Sequence, residues 1–193
     1  RTLDMVVQQI VESELGEAVK HRTPVSASAV VVRPRTGEIL AMATLPNYNP
    51  NQPIAAPEDA RRNRVISDTV EPGSTFKIVV VSGALNEQSV DLENRFDCEN
   101  GAFHYMGRTL RDHERYGVLS VRQVITKSSN IGAAKIGLQL GESQLYAYVR
   151  AFGFGSKTGV TLPGEVLGIV HPVKAWDKLT ITRLPMGQAI SVT

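Results

Sequence analysis

Apolar residues fall at helical spacing near the start of the chain, where Leu3, Val7, Ile10, Val11, Leu15 and Ala18 share one face and Asp4 is placed to cap it. The spacing predicts a first helix ending near Lys20. The pattern then changes to β-branched and apolar runs, Ser28 to Val32 and Glu38 to Ala43, around Pro34-Arg35-Thr36-Gly37, which reads as a hairpin. Residues 44 to 70 are rich in Pro, Asn and Arg and read as a long cleft-side connection. From Thr75 to Leu85 the chain is apolar almost throughout (Phe76, Ile78, Val79, Val80, Val81, Ala84, Leu85), which predicts a buried helix over roughly 74–86. Residues 86 to 117, with Gly101, Gly107 and Gly117, read as irregular. Three more helices follow at roughly 120–128, 131–141 and 142–152. Ser120 is the N-cap for Val121, Val124 and Ile125, and Gly141 is the stop for Ile131, Ala134, Ile136, Leu138 and Leu140. Strands first and helices after predict an α+β domain with helices packed on an antiparallel sheet.

Composition narrows the classes without choosing among them. A chain of 193 residues with 42% hydrophobic content can bury one core. No apolar run approaches the ~20 residues that span a bilayer. A net charge of +2 gives no nucleic-acid footprint, and the densest basic cluster, Arg61-Arg62-Asn63-Arg64, reads as a solvated or structural loop. Cys98 is the one cysteine, so it makes no disulfide within the chain and reads as a small packing residue. His21, His104, His113 and His171 lack ligand spacing, so neither a metal nor a cofactor is expected.

Chemistry enters at Glu71-Pro72-Gly73-Ser74-Thr75-Phe76-Lys77. Pro72 and Gly73 form a turn, and Ser74 falls in the first turn of the apolar helix, three residues before Lys77. Residues i and i+3 share a helix face, so the amine can reach the hydroxyl. The unpaired N–H groups of a helix N-terminus favour a developing negative charge beside it. The pair alone is common, and a capping serine with a solvated lysine is the plain alternative. A helix this apolar leaves little bulk water for Lys77, and a partly buried lysine has a depressed pKa and can serve as a neutral base. A second polar cluster, Lys127-Ser128-Ser129-Asn130, lies between two helical patterns. Alone it reads as a helix-capping turn, and only beside Ser74 and Lys77 does it read as part of a site.

Ser-x-x-Lys followed by Ser-x-Asn is the pair that, with Lys-Thr-Gly, marks β-lactamases and penicillin-binding proteins. Longer runs sharpen this. Thr2-Leu3-Asp4, Pro34 to Ala43, Arg62-Asn63-Arg64, Glu71 to Lys77, Ser128-Ser129-Asn130, Phe152-Gly153-Phe154-Gly155 and Gly187-Gln188-Ala189-Ile190-Ser191-Val192-Thr193 occur in family order. On these runs the chain resembles the transpeptidase domain of the class B, monofunctional penicillin-binding proteins over nearly its whole length.

The resemblance implies the penicillin-binding/β-lactamase-like transpeptidase fold. It implies peptidoglycan stem peptides ending in D-Ala-D-Ala as substrate, β-lactams as covalent inhibitors, and a glycosyltransferase and other cell-wall machinery as partners. It assigns Ser74 as nucleophile, Lys77 as its base, Ser128 as proton relay and Asn130 as the group that orients Lys77 and the peptide. It also implies a membrane-anchored parent whose catalytic domain lies on the outer or periplasmic side.

Lys157-Thr158-Gly159 spells the family's third motif, yet it precedes the Gly187 to Thr193 segment and sits in a glycine-rich connection. It reads as loop. Residues 1–193 are then expected to be part of a transpeptidase domain. The anchor, the pedestal domain and the C-terminal active-site strands would lie outside them. Without one oxyanion donor, acylation is expected to be slowed by on the order of 3 kcal/mol. Ala189 stands where the family usually has glycine, which puts the local backbone in question. A serine β-lactamase, with Glu165 as the carboxylate to test, and a non-catalytic penicillin-binding sensor or scaffold are the alternative functions.

Overall fold

A computed structural model describes residues 3–193, so Thr2 of the opening motif lies outside the described residues. The chain divides into two compact units, one formed by residues 1–68, 162–166 and 193, the other by residues 69–161 and 167–192.

In the first unit, helix α1 (Met5–Arg22) begins as expected, with Asp4 accepting hydrogen bonds from the Val6 and Val7 amides. It packs on a hairpin of β1 (Ala27–Arg33) and β2 (Glu38–Leu45), antiparallel with a bulge between Val31 and Val32. The expected apolar stripe does not make a buried face. No described residue of α1 is buried, and Met5 and Ile10 are exposed. Two strands are too narrow a layer to cover a helix, and the contact is partly polar. The Gln8 amide brackets Met42, donating to its carbonyl and accepting from its N–H, both at 2.9 Å. The connection after β2 contains single 3-10 turns at Pro53–Ala55 and Glu58–Arg61 and a short helix α2 (Arg64–Ser67). Its basic cluster is structural, with Arg62 and Arg64 both paired to Asp59 and Asp68.

The second unit holds the main core. A 3-10 turn, Gly73–Phe76, feeds into α3 (Lys77–Asn86), so the helix expected from residue 74 starts with one tighter turn. Phe76, Val80 and Ala84 pack with Ile131, Ile136 and Leu145 in one cluster of almost fully buried side chains. Residues 86 to 117 are not irregular throughout. They contain β3 (Arg95–Asp97), β4 (Ala102–Tyr105) and β5 (Arg108–Arg111), followed by β6 (Val118–Ser120). β3 pairs with β6, and β4 with β5 across Met106-Gly107, both at positive φ as a two-residue hairpin turn requires. Strands of three or four residues carry too little alternation to be seen in a sequence window, and β3 finds its partner only at β6.

The helices that close the unit match their caps. α4 (Val121–Thr126) starts with a capping box between Ser120 and Gln123. α5 (Asn130–Leu140) starts at Ser129 and ends at Gly141, and α6 (Glu142–Ala151) comes directly after it. Short α7 (Thr180–Arg183) and the 3-10 turn after it, Leu184–Met186, pack on α5, where a Cβ on Gly137 would meet Pro185 Cγ at 2.4 Å. Among the described residues no helix is long and apolar enough to cross a membrane.

Candidate active site

The two polar segments singled out in the sequence converge on one amine. Lys77, the first residue of α3, is 2% exposed. Its Nζ lies 3.0 Å from Ser74 Oγ, 2.9 Å from Ser128 Oγ, 2.7 Å from Ser128 O and 2.8 Å from Asn130 Oδ1. A carbonyl oxygen can only accept, so Ser128 O and Asn130 Oδ1 take two N–H bonds whether the amine is charged or neutral. The remaining position of the nitrogen faces two hydroxyls. As an ammonium it offers them its third proton; as an amine it offers its lone pair. Burial pushes the Lys77 pKa down to about 8, against the opposing field of Asp112.

The Ser74 side is held by backbone against backbone. The Gly73 N–H donates to Gly187 O at 3.1 Å. Gly187 has φ +76°, and a Cβ there would lie 2.0 Å from Gly73 O, so the approach needs glycine twice over, for conformation and for space. Ala189 is the departure noted in the sequence, and it holds φ +59° while its N–H donates to Glu71 Oε1 at 3.1 Å. The left-handed conformation explains why glycine suits this position. The Cβ costs on the order of 1 kcal/mol.

The Ser128 side is held by a backbone turn and by side chains. α4 ends with Ser129 N–H donating to Val124 O at 2.9 Å and Ser128 N–H to Ile125 O at 3.1 Å, the bond pair of a Schellman turn. Ser128 occupies its left-handed position at φ +54°, where glycine is the easy residue. That turn directs both the carbonyl and the hydroxyl of Ser128 to Lys77. Asp112 anchors the start of α5. Its Oδ1 accepts from the Asn130 and Ile131 amides, and its Oδ2 accepts from Ser129 Oγ at 2.8 Å. Ser129 Oγ in turn accepts from Gly132 N–H at 2.9 Å. Asn130 Nδ2 donates to Arg111 O at 3.0 Å, which leaves Oδ1 facing Lys77. Asp112 escaped the sequence reading. Nothing local distinguishes it within Arg111-Asp112-His113-Glu114-Arg115, and its partners are 17 to 19 residues away.

The other candidates fall where the sequence put them. Cys98 is fully buried, its Sγ 3.3 Å from Ser129 Oγ, and burial pushes its thiol pKa up, which suits packing rather than attack. Lys157-Thr158-Gly159 belongs to no helix or strand; Gly159 has φ +85° and Thr158 Oγ1 accepts from Val160 N–H, ordinary turn chemistry. Glu165 belongs to the first unit, whereas Ser74, Lys77, Ser128 and Asn130 belong to the second.

Comparison with known proteins shows the family. The penicillin binding protein transpeptidase domain family matches residues 27–193, and the chain belongs to that family. It is 36% identical over its full length to stage V sporulation protein D of Bacillus subtilis and 37% identical to the peptidoglycan D,D-transpeptidase FtsI of Escherichia coli K12. It spans 30% and 32% of those two relatives. Among solved structures, the transpeptidase domain of penicillin-binding protein 3 from Burkholderia pseudomallei matches with TM-score 0.87 and 31% identity, over 98% of this chain and 53% of that one. Penicillin-binding protein 3 of Mycobacterium tuberculosis, in complex with aztreonam, matches with TM-score 0.89 and 34% identity, over all of this chain and 43% of that one. The α+β fold and the class B resemblance expected from the motifs both stand.

Proposed function

We propose that Ser74, Lys77, Ser128 and Asn130 form the acylation centre of a peptidoglycan D,D-transpeptidase. The observation that carries this reading is Lys77 Nζ, buried, with a pKa near 8, whose one uncommitted position faces the hydroxyls of Ser74 and Ser128. An amine so placed can take the Ser74 proton as Oγ attacks the carbonyl between the two terminal D-alanines of a stem peptide. The Ser74 N–H, in the first turn before α3, has no intrahelical acceptor and is available to the oxyanion. Collapse of the tetrahedral intermediate breaks the C–N bond. The proton passes from Lys77 through Ser128 to the departing D-alanine nitrogen, leaving a Ser74 ester. An amine from a neighbouring stem then attacks the ester and gives its proton to Lys77 by the same route, and Lys77 passes a proton to Ser74 Oγ as the ester C–O bond breaks and the cross-link forms.

β-Lactams enter at the first step and stall at the ester. The same reading makes residues 1–193 part of a longer catalytic domain, anchored at the cell membrane and facing outward, working beside a glycosyltransferase. Hydrolysis as in a β-lactamase draws no support, since the groups assembled on Ser74 and Lys77 are an amine, two hydroxyls and an amide. The test is labelling of the full-length protein by a fluorescent penicillin, with the modified peptide then mapped. One penicilloyl group on Ser74, absent in Ser74→Ala, is expected; equal labelling of Ser74→Ala would overturn the assignment.

A further inference from the structure

A cavity of about 510 Å³ lies between the β4–β5 hairpin and the α7 segment, in the same unit as Ser74. Both walls run directly into the candidate active site. Leu110 precedes Arg111, whose carbonyl holds Asn130, and Gln188 comes just after Gly187, whose carbonyl holds the turn before Ser74. The groove thus shares both of its flanking segments with the candidate site.

Its charge is one-sided. Arg108 and Arg183 are both exposed at its lining, and no aspartate or glutamate lines it. Arg108 is paired across the hairpin with Tyr105, so it stands on the face that Tyr105 and Leu110 turn toward the core. Neither guanidinium has a carboxylate within 4 Å among the described residues, whereas Arg33, Arg62, Arg64 and Arg122 all do. Asp177, whose field reaches Arg183, is already occupied: it accepts from the Leu179 and Thr180 amides and from Thr180 Oγ1. Two planar forks of donors facing a groove without an acidic partner suit an incoming carboxylate, which each can bind through paired hydrogen bonds.

We propose that Arg108 and Arg183 form a carboxylate subsite, which takes an internal acidic side group of the peptide whose carbonyl is presented to Ser74. The subsite selects between stems with a free and an amidated carboxyl group. This rests on the acyl-transfer reading above, because that reading brings a peptide to the site whose flanking segments line the groove.

The experiment uses the full-length protein and two synthetic pentapeptides ending in D-Ala-D-Ala, alike except that an internal glutamyl carboxylate is free in one and amidated in the other. The wild type is expected to bind the free acid about tenfold more tightly. Arg108→Gln/Arg183→Gln abolishes that preference, leaves affinity for the amide unchanged and leaves penicillin labelling of Ser74 unchanged. Arg108→Glu/Arg183→Glu, a second variant at the same exposed positions, reverses the preference. Equal wild-type affinities for the two peptides with normal penicillin labelling overturn the subsite and leave the acyl-transfer reading intact. Loss of labelling in both arginine variants also overturns it, since the arginines would then be supporting the fold. Absence of labelling in the wild type removes both proposals together.

Discussion

The two sides of the candidate site are built by different means. The Ser74 turn is fixed by main chain lying on main chain, Gly73 against Gly187, with Ala189 tied to Glu71. The Ser128–Asn130 junction is fixed beyond its own turn by a carboxylate and a hydroxyl, with Asp112 gathering Ser129, Asn130 and Ile131. Backbone packing gives a wall that tolerates no added atom. A polar network gives one that can be altered atom by atom, and whose charge reaches the lysine between them. Both sides also hold a non-glycine residue in left-handed backbone. At Ser128 the left-handed backbone places two oxygens on Lys77, whereas at Ala189 it accompanies an N–H bond to Glu71 and places no group on Lys77.

The backbone wall gives the largest expected effect. Gly187→Ala forces a Cβ to within 2.0 Å of a carbonyl oxygen and demands positive φ, so destabilisation of about 3 kcal/mol or more is expected, with loss of Ser74 acylation. Chemical denaturation and penicillin labelling check both. A variant with native stability and labelling would mean that the turn is not held there.

The polar wall should yield in a graded way. Asp112→Asn removes the charge that raises the Lys77 pKa while keeping an acceptor for the α5 amides. The Lys77 pKa then falls further below about 8, and the acid limb of the acylation profile moves to lower pH. Stability drops by about 1 kcal/mol from the lost charge at the helix start. A merely structural Asp112 would lower stability and leave the limb in place.

Three smaller substitutions separate strain from chemistry. Ser128→Gly and Ser128→Ala both lose the hydroxyl and should both acylate slowly, but the glycine variant should be the more stable by about 1 kcal/mol because it alone relieves the left-handed Cβ. Ala189→Gly should gain between about 0.5 and 1 kcal/mol without changing acylation, since the methyl contributes nothing to Lys77. Thermal melts rank all three, and equal Tm values for the two Ser128 variants would show the strain to be absent.

Local signals carried much of this fold. Asp4, Ser120 and Gly141 mark helix ends through bonds made within a few residues, and each stands where the sequence placed it. The Ser74–Lys77 contact was legible for the same reason, being an i, i+3 pair. The features that failed to show were non-local. β3 finds β6 only across an intervening hairpin, and Asp112 reaches the start of α5 from the end of β5. The β4–β5 turn did leave a trace, since Phe103 and Tyr105 alternate with polar neighbours before Met106-Gly107, yet four-residue strands are too short for that trace to outweigh the glycines. The apolar stripe of α1 was real, but spacing cannot say how wide a layer will cover it.

The central claim is that Lys77 is the base for Ser74. It is tested most directly by the rate of Ser74 acylation by penicillin in the full-length protein, measured from about pH 6 to about pH 10. With the Lys77 pKa near 8, the neutral amine accounts for about one part in a hundred at pH 6 and dominates by pH 9. The predicted rate therefore rises about tenfold per pH unit at the acid end and levels off above about pH 8. A rate that is flat across that range, or one with the same profile in Lys77→Met, would contradict it.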